Sequence, residues 1–137
     1  MSRALLLDTC ALIWILNGDR LGGEAESELA AAANKPGQIV VSPISAWEVG
    51  QLVSKGRLRL VTDPLTWFQA AIDGGVGLAP MPPSVLVGAS FLPGEALRDP
   101  ADRIIAATAR AFGYRLMTRD RPLLDLAGEG HLQAIPC

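Results

Sequence analysis

Two cysteines, one histidine and one tyrosine are all that the 137 residues contain of these types. Cys10 lies in an apolar segment and Cys137 is the last residue, so they form neither a metal-spaced pair nor a disulfide framework. So few thiols suit a reducing compartment, and cytoplasm is the expected location. The lone histidine, His131, sits in a glycine-rich stretch with no second histidine or cysteine placed to join it, which argues against zinc and leaves His131 without a role. Long apolar runs are missing too. The stretch Ala11 to Leu16 falls far short of the roughly 20 residues that a membrane-spanning helix needs. The apolar N-terminus breaks at Asp8 with no small-residue cleavage site behind it, so no signal peptide is expected. Finally, there is no excess of positive charge. Twelve Lys plus Arg stand against 14 Asp plus Glu, a net charge of -2, so a polyanionic partner must be held locally rather than by a global basic field.

What is present describes a folded domain. Half of the residues are hydrophobic and 19% are charged, far from the composition of disordered chains. No internal repeat, linker or low-complexity tract beyond Ala30 to Ala33 divides the chain, so a single domain over residues 1–137 is expected.

Leu5-Leu6-Leu7 reads as a short buried strand ending at Asp8-Thr9, and Cys10 to Leu16 as an apolar helix closed by Asn17-Gly18. Glu24 to Asn34 predicts a second helix and Ile39 to Ser42 a second strand. Ser45 and Glu48 have capping-box spacing ahead of a helix that runs to about Lys55-Gly56. Asp63-Pro64 and Asp99-Pro100 each place a cap and a first-turn proline before a helical stripe, the second running to Phe112 and stopped by Gly113. Val76 to Pro80 and Arg115 to Thr118 predict strands; Pro82 to Ala89 predicts a short helix, Leu123 to Ala127 a half-helix, and Leu132 to Ile135 an edge strand. Strands alternating with helices imply a three-layer α/β/α sandwich around a mostly parallel sheet.

In such sheets the functional crevice lies beyond the carboxyl ends of the strands, where Asp8 and Asp120 fall. Glu48 and Asp102 start helices that flank that edge. Each acid has a structural alternative. Asp8 and Asp99 can be N-caps, Glu48 the second half of a capping box, Asp102 a charge favourable to a helix dipole, and Asp120 a turn residue. Asp8, however, sits between three leucines and an apolar helix, where a carboxylate needs a partner. No lysine adjoins these acids, so an ion is the simpler partner, and oxygen-only ligands favour a hard cation, Mg²⁺ or Mn²⁺.

The segments Leu5-Leu6-Leu7-Asp8-Thr9, Ser45-Ala46-Trp47-Glu48-Val49, Arg98-Asp99-Pro100-Ala101-Asp102-Arg103 and Leu116-Met117-Thr118-Arg119-Asp120 together resemble the successive motifs of PIN-domain ribonucleases, most closely the VapC-like toxins of type II toxin–antitoxin pairs. The resemblance implies a PIN fold, Mg²⁺- or Mn²⁺-dependent endoribonuclease activity, a homodimer and a cognate antitoxin. It maps the family's catalytic and metal-binding acids onto Asp8, Glu48, Asp102 and Asp120, with Asp99 an additional acid at the metal and Thr9 and Thr118 polar residues beside the site that count among the substrate contacts. One departure is Leu97-Arg98, where many relatives carry a histidine before Asp-Pro. Arg103, Arg119 and Arg121 are the cations best placed for RNA; Arg57 and Arg59 are further candidates. Two other functions compete with this one. An aspartyl-nucleophile phosphohydrolase would carry a second Asp two residues after Asp8, where this chain has Cys10. A non-catalytic module binding RNA or a partner would use its acids as caps or as a structural metal site, with Trp47 and Trp67 as possible exposed contacts.

Overall fold

The computed structural model describes residues 3–94 and 97–137. The expected domain also takes in Met1, Ser2, Glu95 and Ala96, which lie outside the described residues. The three leucines form strand β1 (Leu5–Leu7). There follow α1 (Thr9–Leu16), α2 (Gly23–Ala32), β2 (Ile39–Val41), α3 (Ile44–Ser54), α4 (Pro64–Asp73), β3 (Gly77–Leu78) and α5 (Pro83–Gly88), which continues into a 3-10 turn at Ala89–Phe91. The chain ends with α6 (Pro100–Phe112), β4 (Arg115–Thr118), α7 (Arg121–Gly128) and β5 (Gln133–Pro136). The strands form one sheet in the order β3-β2-β1-β4-β5, every pair parallel.

Successive strand residues face opposite sides of a sheet, and a parallel sheet is covered on both, so an unbroken leucine run is what a central strand requires. Leu5 and Leu7 join Val41 and Met117 on one face, against Leu12 of α1, Ala25 of α2 and Phe68 of α4. Leu6, Val40 and Leu116 face the other way, onto Ile105, Ala106 and Ala109 of α6 and Leu123 and Leu126 of α7. These are the three layers expected. Helix α3 touches α4 and α6, members of opposite layers, and so closes the side of the sandwich. Val85 of α5 and Ala89 pack on Ala107 of α6 in a small separate cluster.

Several boundaries differ from expectation for one reason: acids act as caps. Asp8 accepts from the Ala11 N–H at 2.7 Å and starts α1 at Thr9 rather than Cys10. Asp120 accepts from the Leu123 N–H and starts α7 at Arg121, with Pro122 in its first turn. Gly113, at φ 68°, ends α6 in the left-handed conformation that glycine adopts without steric cost. The third strand is shorter than expected because β3 is an edge, paired with β2 alone.

The expected Ser45–Glu48 capping box does not form. Helix α3 begins two residues earlier than a Ser45 cap would start it, at Ile44, whose N–H donates to Ser42 Oγ at 3.1 Å. Ser45 therefore lies inside the first turn and is fully buried. Residues three apart share a helix face, so the spacing that suggests a box also aims Ser45 and Glu48 at a common neighbour.

The strand order places the switch in chain direction between β1 and β4. From β1 the chain builds outward to β2 and β3, then returns to lay β4 on the other side of β1. The crevice at the carboxyl ends of β1 and β4 is where sheets of this kind place their chemistry.

Candidate metal centre

Asp8 follows β1 directly into that crevice. It is 5% exposed, and both of its carboxylate oxygens are engaged: Oδ1 by the Ala11 N–H and Oδ2 by the Thr118 hydroxyl at 2.5 Å. Burial raises its pKa above the ordinary carboxylate value, the two hydrogen bonds oppose the rise, and the nearby charge of Asp120 adds to it. Asp8 is thus both the cap and the floor of the site. Thr118, fully buried at the end of β4, also accepts from the Asp120 N–H at 3.0 Å, so one hydroxyl sets the position of two acids.

Glu48 reaches the crevice from α3. Its Oε1 accepts a short hydrogen bond from Thr9 Oγ1, and Thr9 in turn lies 2.8 Å from Ser45 Oγ. Thr9 and Ser45 are buried and hold the carboxylate from behind. Burial raises the Glu48 pKa, the Thr9 hydrogen bond lowers it, and Asp99 and then Asp8 raise it further. Ser45 is a positioning residue that sequence reading missed, since its cap-like spacing gave it another role.

Asp99 and Asp102 come from the start of α6. Asp99 is its N-cap, accepting from the Asp102 N–H at 3.1 Å. Carboxylate oxygens of Glu48, Asp99 and Asp102 lie within 4.8 Å of one another. Two full charges that close repel by about 3 kcal/mol at an effective dielectric of about 20. The Asp102 pKa is accordingly pushed up to about 8, first by burial and then by Asp99, Glu48, Asp120 and Asp8. The same field reaches Cys10, whose thiol is pushed up to about 11 by burial and then by Asp8, Glu48, Asp102 and Asp120. Asp8, Glu48, Asp102 and Asp120 thus act on a common neighbour, Cys10, and Asp99 stands with Glu48 and Asp102.

Among the described residues none of the four acids Asp8, Glu48, Asp102 and Asp120 enters an ion pair, so burial and mutual repulsion hold the Asp102 pKa up without a cation to oppose them. A divalent cation would remove that cost, and five carboxylates without a histidine or thiolate ligand suit a hard one. The residues present fit such an ion.

The cations divide. Arg103 is spent on the backbone: Nε donates to the Ala89 carbonyl at 2.8 Å and NH1 to the Leu97 carbonyl at 2.7 Å, tying the segment before α6 to the 3-10 turn. These bonds fix the direction of the guanidinium that was expected among the RNA contacts. Arg119 lies over the Trp14 ring, 3.8 Å from its centroid, and donates to the Cys137 carbonyl at 2.7 Å. It is close enough to Asp8 to lower that residue's pKa slightly. Arg121 is exposed at the start of α7. Thr9 and Thr118, expected beside the site as substrate contacts, are buried against Glu48 and Asp8 and offer RNA no surface. Of the tryptophans, Trp67 packs against the core, whereas Trp47 is exposed. His131 stands beside Glu129, Nε2 to Oε2 3.4 Å.

Residues 5–129 match the PIN domain family model. The chain is 34% identical over 123 residues to ribonuclease VapC22 of Mycobacterium tuberculosis, covering 90% of this chain and 91% of that protein. Its fold is shared by the DNA-bound VapBC structure from Salmonella typhimurium, with TM-score 0.69, 15% identity and 98% of each chain covered. It is shared also by the promoter-bound VapBC2 structure from Rickettsia felis, with TM-score 0.66, 17% identity and 97% and 98% covered. A toxin–antitoxin complex from Klebsiella pneumoniae superposes with TM-score 0.63 at 24% identity, over 96% of each chain. With its family model matched over nearly the whole length, its parallel five-stranded sheet, and its acids gathered at the β1–β4 switch point, the chain belongs to the PIN domain family.

Proposed function

We propose that this protein is a Mg²⁺- or Mn²⁺-dependent endoribonuclease, the toxin of a type II toxin–antitoxin pair. It acts in the cytoplasm as a homodimer and is silenced by a cognate antitoxin. The observation that carries the reading is the approach of Glu48, Asp99 and Asp102 carboxylate oxygens to within 4.8 Å of one another, in a field to which Asp8 and Asp120 add, in a PIN-family chain. The 34% identity to a ribonuclease supports the activity, and the toxin–antitoxin complexes among the structural relatives support the partner. Leu86, Val87 and Phe91, exposed apolar side chains of α5 and the turn after it, leave a surface for a protein contact.

Asp8, Glu48, Asp102 and Asp120 would hold the metal, with Asp99 completing the Glu48–Asp102 side. Bound there, a divalent ion lowers the pKa of a water and neutralises charge on a phosphoryl oxygen, the requirements of phosphodiester hydrolysis. The chain's own contribution is preorganisation. Thr118 fixes Asp8 and the Asp120 backbone, while the Thr9–Ser45 pair fixes Glu48, so the carboxylates need no rearrangement when substrate arrives. Asp102, its pKa raised, would have to release its proton to serve as a ligand. Arg119 and Arg121, at the rim, attract the RNA backbone.

A covalent aspartyl route finds no support. Asp8 is buried with both oxygens engaged, and the position two residues on is Cys10, a neutral thiol. Incubating an RNA pool with wild-type protein and with Asp8→Asn, in Mg²⁺ and in EDTA, tests the proposal. Cleavage by the wild type in Mg²⁺ alone is expected; cleavage undiminished in EDTA or in Asp8→Asn contradicts it.

A further inference from the structure

Helix α3 presents more than Glu48. Trp47, the residue before it, is 54% exposed, although a buried tryptophan contributes more apolar area than almost any other side chain. Trp47, Gln51 and Lys55 recur at four-residue steps and so form one stripe along the helix. At its end, Gly56 adopts φ 71° and the Arg57 N–H turns back to the Leu52 carbonyl at 2.8 Å, which folds Arg57 over the last turn. These residues border a groove of about 200 Å³ that is also lined by Glu48 and Asp99. Two carboxylates of the candidate centre thus share a groove with an exposed indole and two cations. Among the described residues neither Lys55 nor Arg57 enters an ion pair.

We infer that this groove is a nucleotide subsite: a base of single-stranded RNA stacks on Trp47 while Lys55 and Arg57 hold adjoining phosphates, delivering the scissile linkage to Glu48 and Asp99. The inference rests on the ribonuclease reading and gives its substrate a conformation. A duplex keeps its base faces stacked inside, so Trp47 can engage only an unpaired base. The volume is below the roughly 300–1,000 Å³ of sites that enclose a whole small molecule, and suits one unit of a chain that continues past it. An aromatic interleaved with cations is the composition of single-strand binders, where the ring stacks with any base and the cations follow the backbone. A protein partner's apolar face would be met better by contiguous apolar residues, and here Gln51, Lys55 and Arg57 interrupt them.

The test uses full-length protein with Mg²⁺ and single-stranded oligoadenylate and oligouridylate. In an Asp102→Asn background, which prevents turnover, adding Trp47→Ala should weaken binding of both oligomers about tenfold, as loss of one stacking partner does, whereas Trp47→Phe should retain most of it. Lys55→Ala should weaken binding and reduce the slope of log K against log salt by about 0.7, the value for one phosphate of a single strand. With Asp102 restored, Trp47→Ala should raise KM for an RNA the wild type cleaves and leave kcat within about twofold. Because Trp47 is exposed, its variants should melt with the wild type. Unchanged affinity and KM in Trp47→Ala would overturn the subsite, and so would a loss confined to capture of a co-expressed antitoxin, which would give the groove to a protein. The ribonuclease reading stands or falls separately, on whether the wild type cleaves RNA at all.

Discussion

Two threonine hydroxyls decide where the acids of this protein point. Thr118 donates to Asp8 and accepts from the Asp120 backbone; Thr9 donates to Glu48 and is backed by Ser45. Neither has surface to offer a substrate, and their effect on chemistry passes through the carboxylates they hold. Thr118→Val keeps the shape and removes the hydroxyl. It should lower RNA cleavage about 10- to 100-fold, the usual consequence of losing a group that orients metal ligands. It should cost stability by about 1–3 kcal/mol, because the Asp120 N–H loses its partner in a half-buried place. Initial rates and a denaturant titration on the same preparation check both. At this scale the sequence was informative about which acids stand at strand ends and helix starts and silent about what holds them. An acid at a strand end or helix start is visible in one dimension. The Thr9–Ser45–Glu48 chain depends on α1 and α3 meeting side by side, and no spacing within either segment records that.

Among the elements, α6 unites two duties that sequence reasoning weighed as alternatives. Asp99 caps the helix and also stands within the carboxylate group. Asparagine caps as well as aspartate but carries no charge, whereas alanine does neither. Asp99→Asn should therefore melt at or above the wild-type temperature in EDTA while binding Mg²⁺ more weakly. Asp99→Ala should lose about 1 kcal/mol of stability as well. Chemical denaturation and metal titration of both variants separate the roles; equal Mg²⁺ affinity in all three proteins would leave Asp99 a cap alone. The elements themselves were largely legible, because each follows from a local rule: leucine and β-branched runs for β1 and β2, Asp-Pro starts for α4 and α6, Gly113 for the end of α6. The beginning of α3 was not. The helix starts at Ile44, whose N–H donates to the Ser42 hydroxyl, and two serines three residues apart offer nearly equal starts in sequence. The backbone contacts of Arg103 at the start of α6 were not legible for a similar reason. Its carbonyl partners, Ala89 and Leu97, are brought to it by a loop whose path the sequence does not state.

For the molecule as a whole, the acid cluster makes the metal-free protein depend on pH in a definite direction. Asp102 has a folded pKa of about 8 against an ordinary 3.8, so between these values the folded state binds a proton that the unfolded state has released. Stability in EDTA should then fall as pH climbs from about 4 to about 8, and the raised Asp8 and Glu48 act in the same sense. Thermal melting in EDTA across that window should show the decline, and Asp102→Asn should flatten much of it and melt higher near its upper end. A bound divalent ion works against the same repulsion and stabilises by mass action, by about 2.7 kcal/mol at a hundred times its dissociation constant. Fold, charge and chemistry are joined through this one feature, since the sheet that brings β1 beside β4 also brings together acids that share a crevice only with a proton or a cation among them. The most direct test counts the protons released when Mg²⁺ binds, by calorimetry near neutral pH in buffers of different ionisation enthalpy. This account predicts that the wild type binds Mg²⁺ with release of about one proton, and that Asp102→Asn binds far more weakly and releases almost none. Equal binding by the two proteins, with no proton released by either, would contradict it.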